Sequence, residues 1–228
     1  MYKNKTFLGI IPARGGSKRL PKKNVLNLNG KPLISWSIEA GLRSRYIDKL
    51  VVSSEDEEIL NIAAEHKVEA LIRPDELADD KTSSFDTIKH TLDNSKEYDY
   101  IVLLQATSPL RNQMHIDKAI ELLEEKNADA IISVRETDHN PLWSNTIDDS
   151  LSMKGFLKDH VSNKRSQDLE KYYQLNGAIY ICKVSKLLKE KGFFLKDNIY
   201  AFKMDRKSSI DIDEKIDFKI AEALLENN

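Results

Sequence analysis

Apolar residues fall into two alternating textures along the chain. Dense short runs at residues 7–11 (FLGII), 49–53 (KLVVS), 68–72, 100–104 (YIVLL) and 130–134 have the length and content of buried strands. Between them, wider apolar spacing predicts helices at 32–43, from Ser54 to about residue 66, at 85–92 and at 114–126. Leu33, Trp36, Ile38 and Ala40 point the first helix at a core. Ser54 is the expected cap of the second, with Glu55, Asp56 and Glu57 in its first turn, where the helix dipole favours acids. Such alternation implies βαβ units around a mostly parallel sheet. Right-handed crossovers put the loops after the strands on one edge, where open α/β sheets bind ligands.

The pattern breaks between residues 136 and 174. This stretch is polar, its aromatics (Trp143, Phe156, Tyr172, Tyr173) follow no period, and it is too long for an ordinary loop. It reads as an excursion that packs on something, a second subunit being one option. Regularity returns with a strand at 176–182 (NGAIYIC), a helix at 184–191, a strand at 199–203 and a last helix from about residue 214. The expectation is one α/β domain over 1–228, carrying 136–174 as its excursion.

The 228 residues are ample for a core. A formal net charge of −2 argues against a general nucleic-acid or membrane binder, so any anion site must be local. Cys182 is the single cysteine, which rules out an intrachain disulfide. With no recognisable signal peptide, this favours a reducing cytoplasm. The N-terminal apolar run is too short to span a bilayer. The five histidines follow no metal spacing and are expected to be structural, and Cys182 is expected to pack in the core.

Against that neutral background, residues 11–24 (IPARGGSKRLPKKN) stand out. Arg14, Lys18, Arg19, Lys22 and Lys23 follow the first strand with no acid among them. Gly15 and Gly16 allow a tight turn whose backbone N–H groups can form an anion nest. Arg14 adds a planar fork, and Lys18 and Lys23 add point charges. The loop is neither a Walker P-loop nor GxGxxG, and its bland alternative is a solvated basic turn. Near the C-terminus, SIDID sets Asp211 and Asp213 on one face of an extended segment. They suit a hard cation shared with substrate phosphates, or one of them caps the last helix. QATSPLR (105–111) ends a strand, and Gln105 suits a sugar amide or hydroxyl, while Pro109 and Asn112 suit a helix start. Arg73 could pair with Asp75 or Glu76 on the surface, a pair of little worth.

IPARGGSKRLPKKN, RPDELADD, LLQATSPLR, NGAIYI and SIDIDEKIDF occur in that order. Together they resemble the acylneuraminate cytidylyltransferase family, whose members activate sialic, legionaminic and pseudaminic acids, over residues 10–222. The resemblance implies a Rossmann-like three-layer αβα nucleotidyltransferase fold. It also implies a reaction in which CTP and a nine-carbon 2-keto-3-deoxy sugar acid give the CMP-sugar and pyrophosphate, with Mg2+, or Mn2+ in its stead. Arg14, Ser17 and Lys18 then hold the triphosphate, and Lys23 and Asn24 sit beside the α-phosphate, Lys23 as a charge-neutralising catalytic group. Arg73 and Ser84 surround the cytosine and ribose. Gln105 and Tyr180 meet the sugar, and Asp211 and Asp213 hold the metal.

The resemblance makes residues 136–174 a dimerisation excursion that shares active sites within a homodimer. Arg165 and Gln167 would act on the partner's sugar, Arg165 on its carboxylate. No protein general base is apparent. The chain departs from the family pattern at Gln174, where many members carry arginine, and at Glu170, where proline is frequent. Both lie on the sugar side. The competing expectations are an enzyme for the eight-carbon sugar Kdo and a non-catalytic CTP-binding protein of the same fold.

Overall fold

The computed structural model describes residues 1–79 and 82–226. Nine strands are present among them: β1 (Phe7–Pro12), β2 (Asn27–Leu28), β3 (Lys31–Pro32), β4 (Lys49–Ser54), β5 (Glu69–Ile72), β6 (Tyr100–Leu104), β7 (Ala130–Glu136), β8 (Tyr173–Lys183) and β9 (Ile199–Met204). The helices are α1 (Leu33–Leu42), α2 (Glu57–Glu65), α3 (Ser84–Asp93), α4 (Gln113–Glu125), α5 (Asp159–Ser162), α6 (Val184–Glu190) and α7 (Lys215–Glu226). Seven strands form one sheet in the order β5-β4-β1-β6-β8-β7-β9, and β2 and β3 form a separate ribbon. All neighbours in the large sheet are parallel except β8, which runs antiparallel to both β6 and β7.

Strand alternation divides the core in two. Phe7 and Ile11 of β1 pack with Ile34 and Ile38 of α1, Ile59 of α2 and Ile120 of α4 on one face. Leu8 and Ile10 pack with Ile88 of α3 and Leu187 of α6 on the other. The result is the expected α/β three-layer sandwich. The chain leaves β1 toward β4 on one side, while β6 lies on the other. The loops after β1 and β6 therefore flank a switch point, where such sheets open a crevice. Leu28, Leu33, Ile212 and Ala221 form a smaller cluster that seats α7 on the β2–β3 ribbon.

Two expectations need correction. The second helix is capped by Asp56, whose Oδ1 accepts from the backbone N–H of Glu58 (2.9 Å) and Ile59 (3.2 Å). Ser54 instead ends β4, and its hydroxyl accepts from the Asp56 N–H. A carboxylate outcompetes a hydroxyl for these donors, and Glu55 falls outside the helix. The irregular stretch is also shorter than 136–174. Arg135 and Glu136 of β7 pair with Gln174 and Tyr173 of β8. Backbone bonding continues the ladder past the last buried side chains, where apolar patterning gives no signal. Cys182 is buried as expected, and burial pushes its thiol up to about 12. No helix among the described residues is long and apolar enough to cross a membrane.

Candidate active site

Two cavities open at the carboxyl ends of β1 and β6. The first, about 530 Å³, is walled by the basic loop through Arg14, Ser17, Lys18, Lys23 and Asn24, with Arg73 and Ser84 opposite. The second, about 1060 Å³, is walled by Tyr180, Asn176, Gly177 and Asp211 and by residues beyond β7 and β9. Gln105, Thr107 and Asp213 line both, so the cavities meet at the loop after β6.

Gly15 shows why the basic loop turns where it does. A Cβ there would lie 2.2 Å from Asp56 Oδ2, whereas Gly16 has open space at the same position. The Gly15 N–H donates to Glu55 Oε1 at 2.8 Å. Glu55 Oε2 also accepts from Arg73 Nη2 at 2.7 Å, and that nitrogen reaches the Ala13 carbonyl at 3.3 Å. Arg73 is 5% exposed. Its expected surface pairing with Asp75 or Glu76 is therefore replaced by a buried ion pair, because Glu55, released from α2, reaches it across the loop. Glu55 thus clamps the basic loop to β5, a role that the sequence hides among helix-start acids. Asn24 is buried, and its Nδ2 donates to the Arg14 carbonyl at 2.9 Å, while its Oδ1 has no partner within the protein.

Lys23 is half-buried, its side chain 11% exposed. Its Nζ donates to the Ile212 carbonyl and to Asp213 Oδ1 (3.1 Å), and Arg19 Nη2 meets Asp213 Oδ2 at 3.0 Å. Basic loop and SIDID segment are thus joined through Asp213. Burial raises the Asp211 carboxyl above the usual carboxylate range; a hydrogen bond from Thr107 opposes the shift, and the Asp213 charge adds to it. Asp217 Oδ2 accepts from the Asp213 and Glu214 N–H groups, at 3.0 and 2.8 Å. Gly177, at φ +73°, passes close to Asp211: a Cβ there would lie 3.7 Å from Oδ2.

Gln105 is held from behind. Its carbonyl accepts from Ser37 Oγ at 3.0 Å and from Arg111 Nη2 at 3.4 Å. Arg111 is 1% exposed and also donates to Ser37 Oγ at 2.8 Å, and burial pushes its guanidinium down to about 9. Arg111 ends the QATSPLR motif, where nothing in the sequence marks it as a buried support for Gln105. Asn112 starts α4, capping Met114 and His115, so the helix-start reading of this loop holds. Tyr180 is half-buried against Phe193, with ring centroids 5.3 Å apart. Arg165 and Gln167 line neither cavity; Arg165 is 75% exposed and pairs with Asp168 at 2.9 Å.

A cationic crevice at the switch point of a mostly parallel sheet, joined to a polar chamber at Gln105, Thr107 and Asp213, suits an α/β protein that binds a polyanionic ligand beside a polar one. A cytidylyltransferase family profile matches residues 8–228, and the chain belongs to that family. The N-acylneuraminate cytidylyltransferase of Escherichia coli O18:K1:H7 is 38% identical over 216 residues, covering 94% of this chain and 51% of that protein. The chain thus spans about half the length of that relative. The pseudaminic acid cytidylyltransferase of Campylobacter jejuni serotype O:23/36 is 34% identical over 226 residues, covering 97% of both. A solved structure of CMP:2-keto-3-deoxy-manno-octonic acid synthetase complexed with CTP superposes with a TM-score of 0.72 at 16% identity, over 97% of this chain and 99% of that one. At that identity the likeness establishes the fold alone.

Proposed function

We propose that this chain activates a nine-carbon 2-keto-3-deoxy sugar acid with CTP, releasing pyrophosphate. The supporting observation is the seam between the cavities, where Lys23, Asp211 and Asp213 converge between a basic chamber and a polar one. CTP occupies the first chamber, with its triphosphate on Arg14, Ser17, Lys18 and Asn24 and its nucleoside toward Arg73 and Ser84. The sugar occupies the second, against Gln105 and Tyr180. Its anomeric hydroxyl oxygen bonds to the α-phosphorus as the bond to the β-phosphate oxygen breaks; pyrophosphate leaves and the hydroxyl proton passes to solvent. Lys23 neutralises charge on the α-phosphate, and alignment does much of the rest.

Asp211 and Asp213 fit a divalent cation. Two carboxylates, one strained by burial beside the other, suit a hard ion that also takes phosphate oxygens. Mg2+, or Mn2+ in its stead, would supply charge screening and Lewis acidity. Asp213 would then exchange its cationic partners for the ion, leaving Lys23 to the phosphate. The long, largely exposed segment between β7 and β8 is read as the dimerisation element of a homodimer in which Arg165 and Gln167, which line neither cavity of their own chain, serve the neighbour's sugar.

The test is pyrophosphate release from CTP and Mg2+ with N-acetylneuraminate, diacetyllegionaminate, pseudaminate and Kdo. Metal-dependent release with one of the nine-carbon acids is expected. Preference for Kdo would overturn the choice of sugar, and CTP binding without release on any acid would overturn catalysis.

A further inference from the structure

β8 breaks step with β7 beside the seam. Ile132 pairs with Tyr180 and Val134 with Leu175, so residues 176–179 stand opposite Ser133 alone. Ser133 is fully buried, where a hydroxyl is costly unless bonded. Its hydroxyl holds the bulge. It accepts from the Ile179 N–H at 2.8 Å, and its one proton lies between Asn176 Oδ1 at 2.6 Å and the Ile179 carbonyl at 3.0 Å. Asn176 is 4% exposed. Its Oδ1 also accepts from the Ala178 N–H at 3.2 Å, and its Nδ2 donates to Ser209 Oγ at 2.9 Å. Ser209 Oγ in turn donates to the Asp205 carbonyl at 2.6 Å.

The run Ser133–Asn176–Ser209 fastens three segments together: β7, the bulge of β8 and the loop after β9. Asp211 lies just past Ser209. On its other side the Ile212 N–H donates to the Thr107 carbonyl at 2.9 Å, and the Ile212 side chain is fully buried. Asp211 is thus pinned from both directions, and the bulge brings Gly177 against its carboxylate. Ser133 lines neither cavity. Whatever it does for the site, it does through Asn176. Hydrogen bonds behind a metal-binding group fix its orientation, and losing one typically costs about 10–100-fold in metal affinity.

We propose, resting on the cation reading given above, that Ser133 is a positioning residue for Asp211. It acts through Asn176 and Ser209, and sets how well the Asp211 carboxylate receives a divalent ion. Mn2+ alone is titrated into the protein, with the free ion followed by electron paramagnetic resonance, so that no turnover is needed. Ser133→Ala should raise the Mn2+ Kd about tenfold. Ser209→Ala, at the far end of the run, should do the same, and carries the comparison if Ser133→Ala does not fold. Ser209→Thr keeps the hydroxyl and should bind like the parent. The Mg2+ concentration giving half-maximal turnover should rise in step, with KM for CTP at saturating Mg2+ unchanged. Ser44→Ala is the control: it removes another buried hydroxyl, bonded to Asp117 Oδ1 at 2.7 Å, that lines neither cavity. It should lower stability and leave the Mn2+ Kd alone. A Ser133→Ala protein that melts lower yet binds Mn2+ like the parent has lost only a structural bond, and overturns the positioning role. Equal weakening in Ser44→Ala overturns it too, since the loss then follows stability. Asp211→Asn locates the ion: undiminished Mn2+ binding there sinks the cation reading and the positioning role together. If Asp211→Asn and Ser133→Ala both weaken Mn2+ binding while the parent turns over no nine-carbon acid, the sugar function fails and the positioning role stands.

Discussion

The two cavities share a rim but are built differently. The first takes most of its cations from one run of fourteen residues, folded tightly after a parallel strand and clamped by Glu55. The second is assembled from the loop after β6, the antiparallel pair β7–β8, the loop after β9 and α7. A triphosphate can be gripped by charge and backbone N–H groups, which one loop supplies. A sugar must be read at several points in space, which calls for side chains from distant parts of the chain. The contrast predicts that damage to the first cavity or to the carboxylates at the seam abolishes reaction, and that damage elsewhere in the second changes which sugar reacts.

Lys23→Ala and Asp211→Ala should break the contrast most severely if it is wrong. Each is expected to lower turnover on the order of 10²–10³-fold, the usual cost of a preorganised charge partner at a reacting centre. Circular dichroism should show both variants folded, and near-parental rates would remove these residues from the chemistry. Next comes Glu55→Gln, which strips Arg73 of its buried partner. A stability loss of about 3 kcal/mol is expected, with a raised KM for CTP and no change in sugar preference. Denaturant melts and steady-state kinetics check both parts, and an unchanged midpoint would deny the clamp.

Arg165→Ala should weaken sugar use several-fold while sparing CTP. Mixed with Lys23→Ala protein, it should recover activity through hybrid dimers. No recovery despite verified subunit exchange would confine each site to its own chain.

The smallest effect is a pH dependence at the seam. The Asp211 pKa is raised in the folded chain, so protonation favours folding. That advantage is lost as pH climbs from the unfolded value, about 3.9, through the raised folded one. Above this window and without divalent ions, Asp211→Asn should melt higher than the parent, and the two should converge in acid. Mg2+ should raise the parent's Tm and leave the variant's unchanged. A Tm difference independent of pH and metal would mean that the carboxylate carries no such strain.

Legibility in the sequence follows the same divide. The buried strands and the basic loop can be read directly, because each announces itself within a few neighbouring residues. Lys23 and Asp213 each stand in a legible motif, but nothing in the sequence says that two residues so far apart meet. Glu55 was hidden because an acid after a strand looks like a helix-start residue until Asp56 is seen to cap. Arg111 was hidden because its two partners, a serine hydroxyl and a backbone carbonyl, leave no mark in composition. Ser133 and Asn176 come together only through the broken antiparallel register of β7 and β8. Register between strands separated by a long excursion is a property of the folded sheet.

β8 also governs how the molecule can be made. It lies between β6 and β7, yet it is synthesised after both. Until it arrives, β6 presents a raw edge with apolar flanks and β7 has no partner strand, because β9 is synthesised later still. Closing the sheet requires pairing across the long intervening excursion, a non-local step of the kind that slows folding. A nascent chain halted before residue 173 would carry the complete basic loop and much of its surroundings, but as an open sheet prone to capture by another strand. The last strand to enter the middle of the sheet thus decides when the protein stops being a hazard to its neighbours.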